Sequence, residues 1–332
     1  MNIRNRRELT SFAAQQIASA PQEKRIILIY TGLVLGTNLL SVLLNYVLGL
    51  QIDQHTGLRG LSTRNTLSTI QTMLPLLHSA LVMCLDLGYL SAMLRIARGQ
   101  YASPNGLRLG FDRFWVLLRS QLILIAFYIG IAFISIYASC IIYMITPFSE
   151  DTTAILAPLV SGSSVLNPEI LLDEATYSQL LSTMTPFFVI FVIVFLALYI
   201  PVTYRFRMVR YVIIDKPGIG AIAALRESRM MMRRNAVNLF KLDLHLWWYY
   251  AALLIASIIC YGDQILPLLG IEFPFSYEFA YFLFYAVYLA AQAVIYYFLR
   301  NSVEVTYALA YESLKPEEKK DNGVVLGNIF QM

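Results

Sequence analysis

Ionisable side chains inside apolar segments are the residues of this sequence most able to do chemistry. His78 and Asp86 lie in one such segment, eight residues apart. A helix would place them on similar faces, about 12 Å apart along its axis. A charge inside a membrane is costly unless it is paired or hydrated. Asp86 is therefore expected either to be protonated or bonded to a neighbouring helix, or to take part in a proton or ion relay.

Polar side chains also recur in the last apolar segment. Tyr281, Tyr285, Tyr288, Gln292 and Tyr296 follow one another at steps of four, three, four and four residues. These steps put all five side chains on one face of a helix. Such a face either packs against polar groups of other helices or lines a polar cavity.

A shorter polar stripe occurs in the first apolar segment. Asn38, Ser41 and Asn45 share one helical face there, and Gly32 and Gly36 suit a close helix contact. Helix association and a substrate path are the two interpretations of these stripes. The path hypothesis rests on a candidate intramembrane polar site made of Asn38, Asn45, His78, Asp86, Tyr285 and Gln292.

A basic, methionine-rich segment covers residues 213–248, with the sequence IIDKPGIGAIAALRESRMMMRRNAVNLFKLDLHLWW. The helical period separates an apolar arc from a neighbouring basic arc. The apolar arc holds Ala221, Ala224, Leu225, Ser228, Met231 and Met232, and the basic arc holds Arg226, Arg229 and Arg233. We therefore predict an amphipathic helix pair over residues 217–245, lying along the inner membrane surface.

The basic arc has two interpretations. Its arginines could hold the loop on the cytoplasmic side and contact anionic lipid headgroups. They could also bind a phosphorylated ligand or an acidic partner such as another membrane protein. The candidate docking residues are Arg226, Arg229, Arg233 and Arg234. No nucleic-acid recognition motif accompanies the charge, so no nucleic acid is expected as a partner.

The composition indicates an integral membrane protein. Of the 332 residues, 58% are hydrophobic and 14% charged, and the mean hydropathy is +0.61. These values lie outside the usage of soluble domains. A bilayer core about 30 Å thick requires about 20 apolar residues in a helix. Six segments qualify, at about 26–50, 72–95, 116–146, 183–204, 247–270 and 279–299. We predict an all-α, polytopic bundle of six transmembrane helices.

The basic residues predict the orientation of these spans. All but Arg59 and Arg64 of the 25 lysines and arginines lie in four segments: before the first span, between the second and third, between the fourth and fifth, and after the sixth. The loops at 147–182 and 262–278 carry acids and no base. By the positive-inside rule, the protein lies in the plasma membrane with both termini on the cytoplasmic side. The predicted organisation is an amphipathic segment at 1–25, a membrane domain at 26–300 and a cytoplasmic tail at 301–332.

Motifs for catalysis and for cofactors are missing from the sequence. It contains no H-E-x-x-H helix, no G-x-S-x-G elbow, no Walker A loop and no G-x-G-x-x-G. Cys84, Cys140 and Cys260 all lie in apolar runs, where thiols are typically packing residues. We expect no catalytic residue, no cofactor and no metal site.

The basic segment also carries a family resemblance. Its Pro217, Ala224–Leu225, Ser228–Arg229, Met232–Arg233 and Leu239–Phe240, followed by Leu242–Asp243–Leu244, match the signature of bacterial multi-pass membrane proteins catalogued as a domain of unknown function, the 975 family. The chain departs from that pattern at Arg234 and Trp248, where the family usually has Gly, and at His245, where it usually has Ser. Without a Gly at 234 the helix stop weakens, which favours one continuous helix. The resemblance implies a bacterial plasma-membrane protein and brings no established activity.

The sequence leaves more than one hypothesis for function. The first is a non-enzymatic protein that acts by binding, as an accessory or scaffold component or in export across the envelope. The alternative is a transporter or channel-like protein with a polar path around Asp86 and the Tyr/Gln face of the last span. A membrane enzyme comes third, because no motif supports it.

Overall fold

The computed structural model describes residues 5–54, 61–150, 174–268, 270–271, 274 and 276–315, and every regular element in these ranges is helical. In chain order the α-helices are α1 (Arg6–Ala18), α2 (Glu23–Gln54), α3 (Leu61–Ala97), α4 (Leu109–Asp112), α5 (Phe114–Met144), α6 (Glu174–Phe206), α7 (Val209–Asp215), α8 (Ala221–Met232), α9 (Ala236–His245), α10 (Trp247–Cys260), α11 (Gly262–Leu268), α12 (Tyr277–Ile295) and α13 (Asn301–Leu314). A 3₁₀ helix, Pro104–Arg108, precedes α4, and a π-helical turn, Tyr296–Arg300, joins α12 to α13. The predicted all-α fold class is confirmed.

Long apolar helices dominate the described part of the chain. Five stretches are long and apolar enough to cross a membrane: α2, α3, α5, the run Ser182–Asp215 through α6 and α7, and the run Glu278–Leu314 through α12 and α13. They contain five of the six predicted spans. A sixth candidate arises if α9 and α10, which meet at an angle of 64°, count as one bent span.

The predicted span at 247–270 is not one helix. α10 has 14 residues and ends at Cys260, and α11 begins at Gly262 after a turn at Tyr261. A helix of 14 residues is about 21 Å long, which is shorter than the hydrocarbon core. Gly262, Asp263 and Gln264 follow the turn directly, so a short polar group marks the break, which a search for about 20 apolar residues passes over.

The helix pair predicted at 217–245 consists of α8 and α9, and the expectation that Arg234 would let them run together is wrong. Residues 233–235 form a turn between them. Arg233 and Asn235, on either side of Arg234, both have a negative φ, at −54° and −118°, so neither takes the left-handed conformation that favours Gly. The Asn235 side chain donates a hydrogen bond to the Met231 carbonyl at 3.0 Å, which satisfies an acceptor at the helix end.

The chain divides into two compact units. The second unit, Arg119–Arg207, contains most of α5 and all of α6. Aromatic contacts join these two helices, with ring centroids of Tyr128 and Tyr199 5.0 Å apart and those of Tyr143 and Phe187 5.8 Å apart. The Tyr143 hydroxyl also donates to the Thr183 carbonyl at 3.0 Å. The unit is therefore an antiparallel helix pair with an aromatic seam.

The first unit comprises Met1–Leu118 and Met208–Met332, and α13 lies at its centre. This helix packs against α1 and α3, and most of its residues from Val303 to Tyr311 are buried. It opens the segment that we predicted as a tail at 301–332. Residues 316–332 lie outside the described residues, as do residues 151–173 of the predicted acidic loop at 147–182.

Two glycines allow α3 to contact the chain that follows it. A Cβ at Gly88 would lie 2.2 Å from the Leu107 carbonyl oxygen, and a Cβ at Gly110 would lie 1.8 Å from the Cys84 carbonyl oxygen. Both neighbours are backbone atoms within packed helices, so neither can move aside easily. The close approach of α3 to the 3₁₀ helix and α4 therefore depends on both glycines.

Gly32 and Gly36, by contrast, make no close contact within the described chain. No atom lies within 4 Å of a Cβ built on either residue, and both are exposed. The expected small-residue contact of α2 through these glycines is therefore absent from the described structure.

Gly88→Ala and Gly110→Ala should each destabilise the protein, because the added methyl group meets backbone. We expect a loss of about 1–3 kcal/mol or more in the free energy of unfolding, measured by denaturation in detergent. Gly36→Ala is the matched control and should be neutral or stabilising by about 0.5–1 kcal/mol. Equal stability of all three variants would contradict the packing described here.

Candidate functional site

The most unusual group in the first unit is the buried guanidinium of Arg300, at the end of the π-helical turn. Its central carbon lies 4.4 Å from the ring centroid of Tyr296, 4.6 Å from that of Tyr30 and 5.2 Å from that of Tyr89. The three rings come from the π turn, α2 and α3, and Arg300 is 8% exposed. Attraction between a cation and an aromatic face strengthens when water is excluded.

Asp86 of α3 supplies the opposite charge. Its carboxylate accepts from the Arg300 guanidinium at 3.1 Å and from the Tyr30 hydroxyl. Arg210 of α7 lies 3.8 Å away on the other carboxylate oxygen. The Tyr30 hydroxyl and the Arg300 guanidinium share one carboxylate oxygen of Asp86, while Nε of Arg300 has no hydrogen bond within the described chain. Asp86 is thus bonded to neighbouring helices, one of the alternatives that the sequence left open.

A second polar chain lies beside this pair. The Tyr89 hydroxyl donates to the Asn301 side-chain oxygen, and the Asn301 amide donates to the Glu23 carboxylate. Tyr89 and Asn301 are both buried. These bonds tie α2, α3 and α13 together one residue beyond Arg300. We call Glu23, Tyr30, Asp86, Tyr89, Tyr296, Arg300 and Asn301 the arginine cluster.

The π-helical turn places Arg300 and Asn301 in this cluster. A π turn inserts one residue into an α-helix, so the side chains beyond it are rotated relative to those before it. The rings of the α12 face and the polar residues of α13 can then meet the same neighbours, α2 and α3. Such turns occur often at functional sites.

A second ionic cluster lies further along the same two helices. Arg98, just after α3, bonds to Asp215 and, at 2.9 Å through Nε, to Glu312 of α13. Lys315 lies 2.6 Å from Asp215. Burial lowers the pKa of Arg98, but the hydrogen bonds and the charges of Asp215 and Glu312 outweigh burial and raise that pKa above its usual value. The pairs Asp86–Arg300 and Arg98–Glu312 both join residues 214 apart. This constant offset shows that α3 and α13 run parallel and keep the same register at both pairs.

The six residues of the predicted intramembrane site have different surroundings. Asp86 lies in the arginine cluster, and Gln292 reaches it by donating to the Tyr296 hydroxyl at 3.0 Å. Asn45 bonds within α2, and its carbonyl accepts from Gln71 at 3.3 Å. Tyr285 contacts the Tyr281 and Tyr288 rings on its own helix. Asn38 and His78 make no side-chain hydrogen bond to a described residue.

Sequence reasoning missed most of the arginine cluster. From the sequence alone, Arg300 is a basic residue beyond the last span, and no pattern singles out Glu23 or Asn301. One signal was present in the sequence: an acid precedes a base by twelve residues at Asp86 and Arg98, and a base precedes an acid by twelve at Arg300 and Glu312. Two such segments are complementary when they run parallel.

The predicted docking residues form a separate surface on α8 and the turn after it. Arg226, Arg229, Arg233 and Arg234 are all exposed. The opposite face of α8 is buried through Ala224, Leu225, Ser228, Met231 and Met232. Glu227, the acid of this helix, pairs with Lys216 at 2.6 Å and does not neutralise the arginines.

Metal-ligating clusters and disulfides are both absent from the described residues. These ranges contain no group of three or more His, Cys, Asp or Glu side chains that could hold a metal ion. The three cysteines are free thiols, and Cys84 is buried.

Long apolar helices around a buried ion pair define the class of this molecule as an all-helical membrane protein. Comparison with known proteins assigns it more closely. Residues 1–317 match the family described as Protein of unknown function (DUF975), and the chain belongs to that family. No curated protein and no solved structure matches the chain.

Removing the Arg300 cation should destabilise the fold strongly. In Arg300→Gln the half-buried Asp86 carboxylate loses its closest cation and keeps Arg210 at 3.8 Å, so we expect the free energy of unfolding to fall by about 3 kcal/mol. Adding Asp86→Asn should cost less than the sum of the two single changes, because the double variant removes both partners of the Asp86–Arg300 pair together. Chemical denaturation in detergent measures all three.

Arg95→Gln is the control for this experiment. Arg95 is exposed near the end of α3, so its loss should change stability by no more than about 0.5 kcal/mol. If Arg300→Gln were as mild as this control, the ion pair would not be a structural centre of the protein.

Proposed function

We propose that this protein is a non-enzymatic component of the bacterial cell membrane that acts by binding, as an accessory or scaffold subunit or in export across the envelope. In this proposal it crosses the membrane six times, with both termini in the cytoplasm. The observation that carries the proposal is the surface of exposed arginines on α8. Anionic lipid headgroups are its first ligand, and an acidic membrane protein could occupy it in their place.

The geometry of α8 favours binding at this surface. The buried face holds the helix in one orientation, so Arg226, Arg229 and Arg233 stay directed away from the first unit. None of these three arginines has an acidic partner within the described chain. Each arginine near an anionic surface contributes about 1 kcal/mol, and several on one face add to one another.

The adjoining helix supports the same placement. On α9 and the first residue of α10, the large apolar side chains of Val237, Phe240, Leu244 and Trp247 are between 45% and 63% exposed. Val237, Phe240 and Leu244 follow at steps of three and four residues and form one stripe on α9, and Trp247 stands just beyond the bend. Because α9 meets α10 at 64°, it can lie in the membrane interface while α10 enters the bilayer. The arginines and the apolar stripe would then bind headgroups and acyl chains together.

Reversing the charge of Arg226, Arg229 and Arg233 to Glu should remove bound anionic lipid. Three contributions of about 1 kcal/mol correspond to a loss of affinity of roughly a hundredfold. The measurement is native mass spectrometry of the protein in nanodiscs containing phosphatidylglycerol, at low and high salt. Retention by the wild type should weaken as salt rises.

Lys24, Arg25 and Arg108 provide the charge-matched control. All three are exposed and lie outside α8 and α9, and their reversal to Glu changes the net charge equally. This control should keep the lipid. Equal lipid retention by the wild type and the α8 variant would refute docking of lipid at this surface, whereas a co-purifying protein lost only from the α8 variant would identify a protein as the occupant.

A further inference from the structure

The helix α3 is longer than a membrane requires. Its 37 residues make a helix about 55 Å long, which is about 25 Å more than the thickness of the hydrocarbon core. Among the described residues of α3, Leu77 is the last large apolar side chain that is exposed, and nearly all residues from Leu85 to Ala97 are buried. The surplus length therefore lies in the second half of α3, where protein and not lipid surrounds the helix.

The arginine cluster lies at the level where exposed apolar surface ends. On α2, the first exposed large apolar side chain is Leu28, two residues before Tyr30. On the described run from α12 to α13, the final one is Phe298, two residues before Arg300. Tyr30 and Arg300 meet at Asp86 of α3. In the proposed membrane placement, this level is the boundary of the bilayer.

The chain between α3 and α5 folds back to this boundary. The Leu107 backbone of the 3₁₀ helix contacts Gly88, and Gly110 of α4 contacts the Cys84 backbone. These two contacts flank Asp86 along α3. Because the later residue of the connection meets the earlier residue of α3, α4 runs antiparallel to α3. The connection therefore returns from the far end of α3 towards the bilayer.

Two aromatic rings lie on the outer side of this connection. Phe111 is 47% exposed, and Trp115, the second residue of α5, is 67% exposed. Helical hydrogen bonds continue from α4 into α5, since the Arg113 amide donates to the Leu109 carbonyl at 3.1 Å and the Leu117 amide donates to the Arg113 carbonyl at 3.0 Å. Residues four apart then share one side of the helix. We call Phe111 and Trp115 the aromatic pair.

The surroundings of the aromatic pair suit the headgroup layer of a bilayer. Exposed aromatic side chains on one side of a helix are typical of segments in the membrane interface, and Trp favours this layer because its ring is apolar and its N–H is polar. Arg108 and Asp112, the exposed charges next to Phe111, have opposite signs. Arg113 donates to backbone carbonyls at the end of α7, both at 3.2 Å. The surface around Phe111 is therefore close to neutral, which favours the headgroup layer over a strongly charged protein partner.

We propose that the connection between α3 and α5 is a membrane anchor, with Phe111 and Trp115 in the headgroup layer of the bilayer. Trp115 lies four residues further along the helix and about 6 Å deeper. Arg119 follows one turn later, and a basic side chain near a helix end can reach the headgroups. The end of α3 and the whole of α13 then stand outside the bilayer. This inference rests on the proposed membrane placement and goes beyond docking at α8, because aromatic rings and not arginines make the contact.

Tryptophan fluorescence of the full chain in liposomes tests the anchor, because the sequence has only three tryptophans. Trp247→Phe with Trp248→Phe leaves the native Trp115 as the one fluorophore. A second probe combines Phe111→Trp with Phe at all three native positions. Both probes should lose most of their emission in lipid brominated near the headgroup end of its acyl chains, and iodide in the water should quench them weakly. Lipid brominated near the chain ends should quench the Trp115 probe more than the Phe111→Trp probe.

Arg95→Trp, with Phe at the native positions, is the matched control. Arg95 is exposed on α3 nine residues after Asp86, which is about 13 Å beyond the proposed boundary. Iodide should quench this probe, and neither brominated lipid should. Added salt and a changed fraction of phosphatidylglycerol should leave the Phe111→Trp probe unaltered, because Arg108 and Asp112 beside it offset each other.

Three outcomes would overturn the proposal. Strong iodide quenching of both probes would put the rings in water, and protection of both from iodide and from brominated lipid would mean that protein covers them. Quenching of Trp115 but not of the Phe111→Trp probe by brominated lipid would restrict the contact to the end of the span. A chain with Trp247 alone separates these failures from that of the proposed function: if brominated lipid quenches Trp247 and not the aromatic pair, only the anchor is refuted. Thermal unfolding confirms that each probe protein is folded.

Discussion

The burial of one guanidinium determines how the helices of the first unit assemble. Arg300 cannot leave water without a carboxylate and aromatic faces around it, and these come from α2, α3 and the π turn. Since each of these elements contributes only part of the surroundings, none can be displaced without exposing or isolating the charge. The glycine contacts of α3 and the packing of α13 then follow around a bundle whose relative register is already set.

Two ion pairs fix the register between α3 and α13. In the arginine cluster α3 supplies the acid and Arg300 the base, whereas in the other pair Arg98 is the base and Glu312 of α13 the acid. A shift of α3 or α13 by one turn would therefore separate both pairs at once. Opposite charges placed in this order discriminate the correct parallel alignment from neighbouring ones, which uniform apolar packing does not do. Arg210 and Asp215 of α7 take part in these two clusters, so α7 is held in place and supports α8 in a fixed position.

Much of the architecture could be predicted from local patterns, and the parts that could not depend on distant residues. The apolar arc of α8 is buried and its arginines are exposed because a helical period of 3.6 determines both faces. The turn at Tyr261 has a local signal in Gly262, Asp263 and Gln264, but a span chosen for its length passes over so short a polar group. The burial of Arg300 could not be predicted locally because Tyr30, Asp86 and Tyr89 lie far earlier in the chain. A base at the end of an apolar span also has an ordinary topological explanation. Asp86 and Gln292 stand out in the sequence because they are an acid and an amide inside apolar segments, whereas Tyr30 is a lone tyrosine without a periodic stripe around it.

The distance in sequence between Asp86 and Arg300 also has a consequence for biosynthesis. The two residues are 214 positions apart, and a ribosome adding about 5–20 residues per second needs on the order of 10–40 s to make the second after the first. During that interval the carboxylate is already in a nascent membrane segment without its cation. The bundle can therefore close only after Arg300 has been made, and the first helices must be kept hydrated or sheltered until then.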